Sequence, residues 1–520
     1  MNLSDRLSRT PLILAAERES VECVELILAA SPELEREDSE HCTALDCAIL
    51  AECDFDRDAT AAIISLLIET GCNVNHRIGW KNRTALMQLF EYPNQMTVAQ
   101  RVELVLSASV DLTLVDEDGR TVLGVAASSK FDHAKALELL IKAGCNVNQT
   151  DNNGNAALFL AASRGNVECV ELLLAASADL EIAEKYGSTA LLVAALNNQP
   201  KALELLIKAG GNVNRADVHG QTALFSSAWK GNLECVKLLL AASPDLEIVT
   251  KDGNTALLAA ALSNQPKALE LLIKAGCNVN HTDEHGQTAL FIAARKGNLE
   301  CVKLLLAASA DLEIVSKDGN TALLVVAREN QPKALALLIK AGCNVNHTDV
   351  HGQTALLLAA RKSNVECVEL LLAASADLEI ASKNGRTVLL IAARENQPKA
   401  LELLIKAGCN VNHTDVNGQS SLYLAAWKGN VECVELLLAG SADLEIASKK
   451  GKTALSVATA QKHADIVALI EAEKNARTPE GMAEAAAIKA LEELLLEEDK
   501  EKEKEKKKKK AKEGKAKGAK

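Results

Sequence analysis

Aromatic side chains make up only 2% of this 520-residue chain, with three Trp, three Tyr and six Phe. Its core must therefore be built from Leu, Ala, Val and Ile, a composition that suits helices stacked at short range. No apolar stretch approaches the roughly 20 residues of a membrane-spanning helix, and the opening MNLSDRLSRT lacks the apolar segment of a secretion signal. A soluble, cytoplasmic protein is expected, with nuclear import as the alternative. No Cys-x-x-Cys pair occurs, which argues against structural zinc. No nucleophile, phosphate-binding loop or ligand cluster stands outside the repeated pattern described below, so neither catalysis, nor a cofactor, nor a small-molecule substrate is expected.

The formal charge is −13. From Pro479 onward there are 13 Lys and 11 acidic residues, so the preceding body carries −13 − 2 = −15. Such a body repels nucleic-acid phosphates and disfavours that partner, except through the Lys-rich tail. Fourteen cysteines resemble a disulfide framework until their positions are compared. Cys169, Cys235, Cys301, Cys367 and Cys433 are 66 apart, and Cys277, Cys343 and Cys409 keep the same step. Helices stacked roughly 8–10 Å apart put such equivalents about 20 Å apart, beyond disulfide reach. These thiols read as small buried hydrophobes.

What the chain has in abundance is a 33-residue unit, seen in two versions between Asp283 and Thr348: DEHGQTALFIAARKGNLECVKLLLAASADLEIV, then SKDGNTALLVVARENQPKALALLIKAGCNVNHT. A fixed period of this length marks a solenoid. Each unit reads as helix, turn, helix, loop. Thr288 opens a first helix with Ala289, Leu290, Ile292, Ala293 and Ala294 inward. Gly297-Asn298 ends it, with Asn298 as N-cap of a second helix carrying Cys301, Val302, Leu304, Leu305 and Leu306. The alternate version uses Pro200, Pro266, Pro332 and Pro398 in the second helix's first turn, then Gly210, Gly276, Gly342 and Gly408 as left-handed C-caps. Ser177, Ser243, Ser309, Ser375 and Ser441 hold the corresponding place in the partner version and fit it less well. Three early units are longer: Thr43, Thr84, Thr121 and Ala156 are spaced 41, 37 and 35 apart. The two larger surpluses, around AECDFDRDAT and FEYPNQMTVAQ, are expected as rim loops. Asp54, Asp56 and Asp58 mimic a calcium loop, but Ala59 stands where Gly is needed and Ser65 where Glu is, so calcium is set aside.

The series Asp-x-x-Gly-x-Thr-Ala-Leu-x-x-Ala-Ala, then Leu-Leu-x-x-Gly-Cys-Asn-Val-Asn, resembles the ankyrin repeat. Fourteen copies cover roughly residues 1–476, the last a polar cap, and 477–520 reads as a short helix followed by a charged Lys/Glu-rich tail. The resemblance implies an all-α repeat solenoid of stacked helix-turn-helix units with short β-hairpin-like loops, its first helices lining a concave protein-binding surface. Two departures bear on the turns. Ala usually replaces the family's proline, and Phe291, Leu357 or Tyr423 stands in place of its histidine, which loosens each turn slightly. Ser420 and Ala156 replace the opening threonine, so those two units are expected to be less well capped.

Candidate binding residues close the first helices: Trp229 and Lys230, Arg295 and Lys296, Arg361 and Lys362, Trp427 and Lys428, at 66-residue steps. Trp and Arg dominate binding hot spots, and a basic ladder on an acidic body points to a partner with an acidic or extended segment. The plain alternative is that Arg and Lys solvate a helix terminus and favour its dipole. His219, His285 and His351 at the loop tips form a second set. His281 with His285, and His347 with His351, look like metal ligands, but two per loop cannot complete a zinc site. Ile488, Leu491 and Leu495 form a stripe fit to pack on the cap or to pair with another helix. Lys506–Lys510 reads as a solvated end, a nuclear signal or an anionic-surface contact. The leading function is a non-catalytic scaffold for a protein partner. The rivals are a tether acting through the basic tail and an adaptor delivering substrates to a separate enzyme.

Overall fold

The computed structural model describes residues 4–51, 57–79, 81–91, 95–131, 133–480 and, further on, 483, 487, 490–491, 493–498 and 500–504. Asp54, Asp56, Ile488 and Lys506–Lys510 lie outside the described residues. Among those described, the chain is an all-α repeat solenoid. Successive helix pairs are joined by loops, and one two-stranded hairpin pairs Arg77–Ile78 with Arg83–Thr84. No described helix is long and apolar enough to cross a membrane. The chain divides into two compact units, Met1–Ala293 with Lys303–Ala310, and Ala294–Val302 with Asp311–Lys520.

One repeat of the first unit shows why the sequence folds locally as it does. Thr189 is extended, and its hydroxyl accepts the N–H of Leu192, which gives an orphan donor of the first turn a partner. The helix Ala190–Leu196 then buries every residue from Ala190 to Ala195. Pro200 opens the second helix, Pro200–Lys208, where its missing N–H costs nothing. That helix stops at Gly210, whose φ is +91°. A Cβ there would meet nothing within 4 Å, so the glycine answers to backbone conformation and not to space. In the partner version Ser177, Ser243, Ser309, Ser375 and Ser441 take the left-handed conformation at φ 51–60°, a strain of about 1 kcal/mol each. Hydroxyl capping survives the histidine replacements, since Thr288 and Thr354 still accept from Phe291 and Leu357 N–H.

Four expectations are corrected. Ser420 caps as well as threonine does, its hydroxyl accepting from Tyr423 N at 3.2 Å, whereas Ala156 makes no side-chain cap. The N-cap role read for Asn298 does not extend to its equivalents in other repeats. In Asn232, Asn364 and Asn430 no side-chain cap bond forms. Instead Nδ2 reaches back across the stack, from Asn232 to Ala195 O at 2.8 Å, and from Asn364 and Asn430 to Ala327 O and Ala393 O, both at 2.7 Å. The amide satisfies a helix-ending carbonyl of the preceding repeat. The early surpluses, in their described parts, lengthen second helices: Arg57–Glu69 has 13 residues and Gln95–Leu106 has 12, against nine in Val167–Ala175. Finally, Leu491 and Leu495 are 59% and 54% exposed, so the described part of that stripe does not pack on the cap.

Two further relays join successive repeats within each unit. Along the loop tips, backbone N–H groups of Lys185, Val218 and Lys251 donate to Asn153, Tyr186 and His219 carbonyls at 2.8–2.9 Å in the first unit. Lys383 and Lys449 do the same toward His351 and Asn417 in the second. The approach is close enough that a Cβ on Gly253 would lie 2.8 Å from Glu284 N. The second relay explains the 66-residue alternation. Asn148 Oδ1 accepts from Asp179 N at 2.8 Å, Glu181 Oε1 from Asn212 N at 3.0 Å, and Asn214 Oδ1 from Asp245 N at 2.8 Å. Asn-Val-Asn and Asp-Leu-Glu alternate because each supplies the acceptor for the next one's first amide.

In the early repeats a charged network takes over. His76 Nδ1 lies 2.7 Å from Asp46 Oδ2 and Nε2 lies 3.2 Å from Glu37 Oε1. The hydrogen bond to buried Asp46 outweighs desolvation and lifts the His76 pKa to about 9.

Two predictions follow from these bonds. Asn364→Asp keeps a good capping residue but loses the donor, so equilibrium unfolding should show it destabilised as much as Asn364→Ala, by about 1–3 kcal/mol. A tolerated Asp would restore the cap assignment. Because His76 binds its proton more tightly folded than unfolded, its contribution, on the order of 2 kcal/mol, is complete below about pH 6.5 and disappears as pH rises through 9. Protection factors of residues 44–50, with the intrinsic pH dependence of exchange divided out, should fall across that window in the wild type and stay flat in His76→Gln.

Candidate partner-binding site

From Ala190–Leu196 to Ser421–Lys428, each first helix has six leading positions sealed by its neighbours and a seventh that escapes. In the second unit Ala327, Ala360, Ala393 and Ala426 are 0% exposed, and the residues that follow them are Arg328, Arg361, Arg394 and Trp427. Arg295 holds the same place after Ala294, giving four consecutive arginines and then a tryptophan. In the first unit the series is Ser163, Leu196, Trp229 and Leu262, a largely apolar run. The sequence reading selected residues 66 apart and so missed Arg328 and Arg394. The 33-residue step that connects them to Arg295 and Arg361 was the available signal.

The tryptophans are part exposed at 41% for Trp229 and 39% for Trp427. Both are held in place by a neighbour: Trp229 stacks on buried Phe225 with centroids 6.1 Å apart, and Lys428 Nζ sits 4.7 Å over the Trp427 ring. A large, oriented aromatic face is therefore presented without the entropy cost of fixing it on binding. The eighth position is exposed and alternates in sign through Lys296, Glu329, Lys362, Glu395 and Lys428. It pairs with its own arginine in alternate repeats, Glu329 with Arg328 at 3.1 Å and Glu395 with Arg394 at 3.2 Å. In the first unit Lys230 occupies this position, also exposed.

The histidines separate into two roles. His281, His347 and His413 each donate a ring N–H to the carbonyl of Gly253, Gly319 or Gly385 at 3.0–3.3 Å, bracing the preceding loop. His219, His285 and His351 are exposed at the loop tips, where their backbone N–H groups bond to Asp217, Asp283 and Asp349. The apparent pairs are thus one brace and one exposed tip. Three ligand-type side chains, Glu17, Asp38 and Cys47, do approach within 4.8 Å of one another, a grouping the sequence reading missed. Glu17 is engaged by Arg9 at 3.1 Å, and Asp38 accepts from the N–H groups of Glu40 and Cys42.

The comb cysteines are buried, and burial pushes their thiols up, to about 12 for Cys145, Cys277 and Cys409 and to about 11 for Cys235, Cys367 and Cys433. At neutral pH they hold their protons and offer no thiolate.

Family models described as "Ankyrin repeats (3 copies)" match overlapping segments from residue 57 to 478, and one described as "Ankyrin repeat" matches residues 8–37. The chain belongs to the ankyrin-repeat family. Ankyrin repeats are in general protein–protein interaction modules, so its partners are proteins. A search of the curated proteins finds no match.

Proposed function

We propose that the chain is a non-catalytic scaffold that holds a protein partner against the ends of its first helices. The observation that carries this reading is the contrast within two adjacent positions of each helix. The sixth is buried and filled by alanine, as close stacking requires. The seventh is accessible and carries Arg295, Arg328, Arg361, Arg394 and Trp427 in the second unit, and Trp229 between Leu196 and Leu262 in the first. Packing does not dictate those identities. Repetition by duplication does not either, because the tryptophans differ from the residues one and two repeats away. Arginine and tryptophan offer large contact area with a polar or charged handle, the chemistry that concentrates binding energy. A partner with an extended segment carrying acidic residues matches the second unit's ladder.

The reading predicts that Trp427→Ala weakens partner capture roughly thirtyfold, as loss of about 2 kcal/mol at a hot spot does, with the circular dichroism melt unchanged. Trp229→Ala should act in the same direction, and Lys333→Ala on an exposed second helix should leave capture intact. Affinity capture with quantitative mass spectrometry measures all three. Equal recovery of partners by the tryptophan variants and wild type would place the interface elsewhere.

A further inference from the structure

In the second unit, Arg361, Arg386 and Arg394 converge on a single cavity of about 420 Å³, with His351, Gln353 and Glu395 also on its walls. Two of the guanidinium groups come from the ends of adjacent first helices and one from a loop. Their protein partners leave much of this charge uncompensated. Arg361 Nη2 donates to Gln353 Oε1, a neutral amide. Arg386 Nε reaches Asp415 Oδ2 only at 3.4 Å. Arg394 meets Glu395 at 3.2 Å through Nη1, while its Nε is buried with no hydrogen-bond partner. A buried N–H without an acceptor is costly, and an oxyanion entering the cavity would supply one.

A basic groove in the first unit gives the contrast. It is larger, about 730 Å³, and lined by Lys81, Arg83, Arg120, Lys130 and Arg164. There Arg83 is held by Asp116 at 3.1 Å and Glu91 at 2.5 Å, and Arg120 by Asp116 at 3.0 Å and by Asp118, so these two guanidinium groups are neutralised from within. Arg386 also differs from its neighbours in the series, although Arg83 and Arg120 hold the same place in the early repeats and Lys452 in the last. The equivalent place one repeat earlier and later holds Gln353 and Gln419, and further out Asn320 and Gln287. It is not a copy of its neighbours. The chain as a whole carries −13 and repels anions at long range, so an anion stays here only through local contacts. The cavity opens on the arginine ladder that ends at Trp427, which favours a group carried on a polypeptide over a free small anion.

We propose that this cavity receives one oxyanionic side chain of the partner, a carboxylate or a phosphoryl group, gripped between the three arginines. The proposal rests on the first-helix ends being the binding surface. Fluorescence anisotropy of the full chain tests it with two labelled probes, a deca-glutamate peptide and a Gly/Ser decapeptide bearing one phosphoserine. At least one should bind, more weakly as salt is raised. Arg361→Gln, Arg386→Gln and Arg394→Gln combined should weaken binding about tenfold, the sum expected of three partly exposed ion pairs. Arg386→Gln alone, which touches only a loop, should act in the same direction. Lys333→Gln, Lys340→Gln and Lys399→Gln combined remove the same charge from exposed second-helix positions and should leave affinity within about twofold of wild type, since exposed charges beyond a Debye length are screened. The tighter probe identifies the carboxylate or the phosphoryl source. Absence of binding by both probes, an equal loss in the lysine variant, or displacement by inorganic phosphate at the peptide's own concentration overturns the proposal. If no probe binds here but Trp427→Ala still loses its partner, the binding surface stands and this cavity alone is removed from it.

Discussion

Beside the loop-tip amides that bond within their own loop stands one that takes its acceptor from the repeat before. Lys383 N–H bonds to His351 O, Lys449 N–H to Asn417 O, and in the first unit Val218 N–H to Tyr186 O. The asparagines that open second helices make the same dependence run through side chains, donating to the last carbonyls of the previous first helix. So does the alternation of Asn-Val-Asn with Asp-Leu-Glu. Because a buried polar group left unpaired costs about 1–3 kcal/mol, each repeat is incomplete until its neighbour is in place. Apolar burial is shared in the same way, since helices such as Ala190–Leu196 bury nearly their whole length only between two others. Stability in such an array is a sum over neighbours.

This arrangement frees some positions for recognition. The six leading residues of a first helix, the threonine hydroxyl and the loop glycine are all committed to the stack. The seventh residue lies outside that packing, and it is there that alanine and leucine give way to arginine and tryptophan. The tryptophans are oriented by Phe225 and Lys428 but remain open to solvent. The partner therefore meets a surface whose shape is set by the stack and whose chemistry can be changed one residue at a time without disturbing it.

Most of the fold was legible in the sequence because period, helix-opening threonine, second-helix proline and left-handed glycine are local signals, each with one mechanism. The N-cap reading given to Asn298 does not hold at the equivalent Asn232, Asn364 and Asn430, for the opposite reason. An asparagine before a helix looks the same whether its oxygen caps the turn that follows or its NH₂ bridges to the repeat before, and only the stacked geometry decides. Ser420 was undervalued because threonine and serine offer the same hydroxyl. The first turns of Arg57–Glu69 and Gln95–Leu106 were placed in rim loops, since an insertion's length does not reveal which element absorbs it. Arg328 and Arg394 were overlooked because the two versions of the unit were read as separate combs, although their first helices end at the same place. Arg386, in a loop, gave no hint of its approach to Arg361 and Arg394, which depends on how one repeat's loop lies over the next one's helix.

The dependence of each repeat on the one before it is most directly tested by amide hydrogen exchange of the intact chain, read at Val218, Lys251, Lys383 and Lys449. The N–H groups of these exposed loop residues have acceptors only in the preceding repeat. Protection comparable to that of the helices they connect is the predicted result. Exchange at the rate of an unstructured loop would contradict the account.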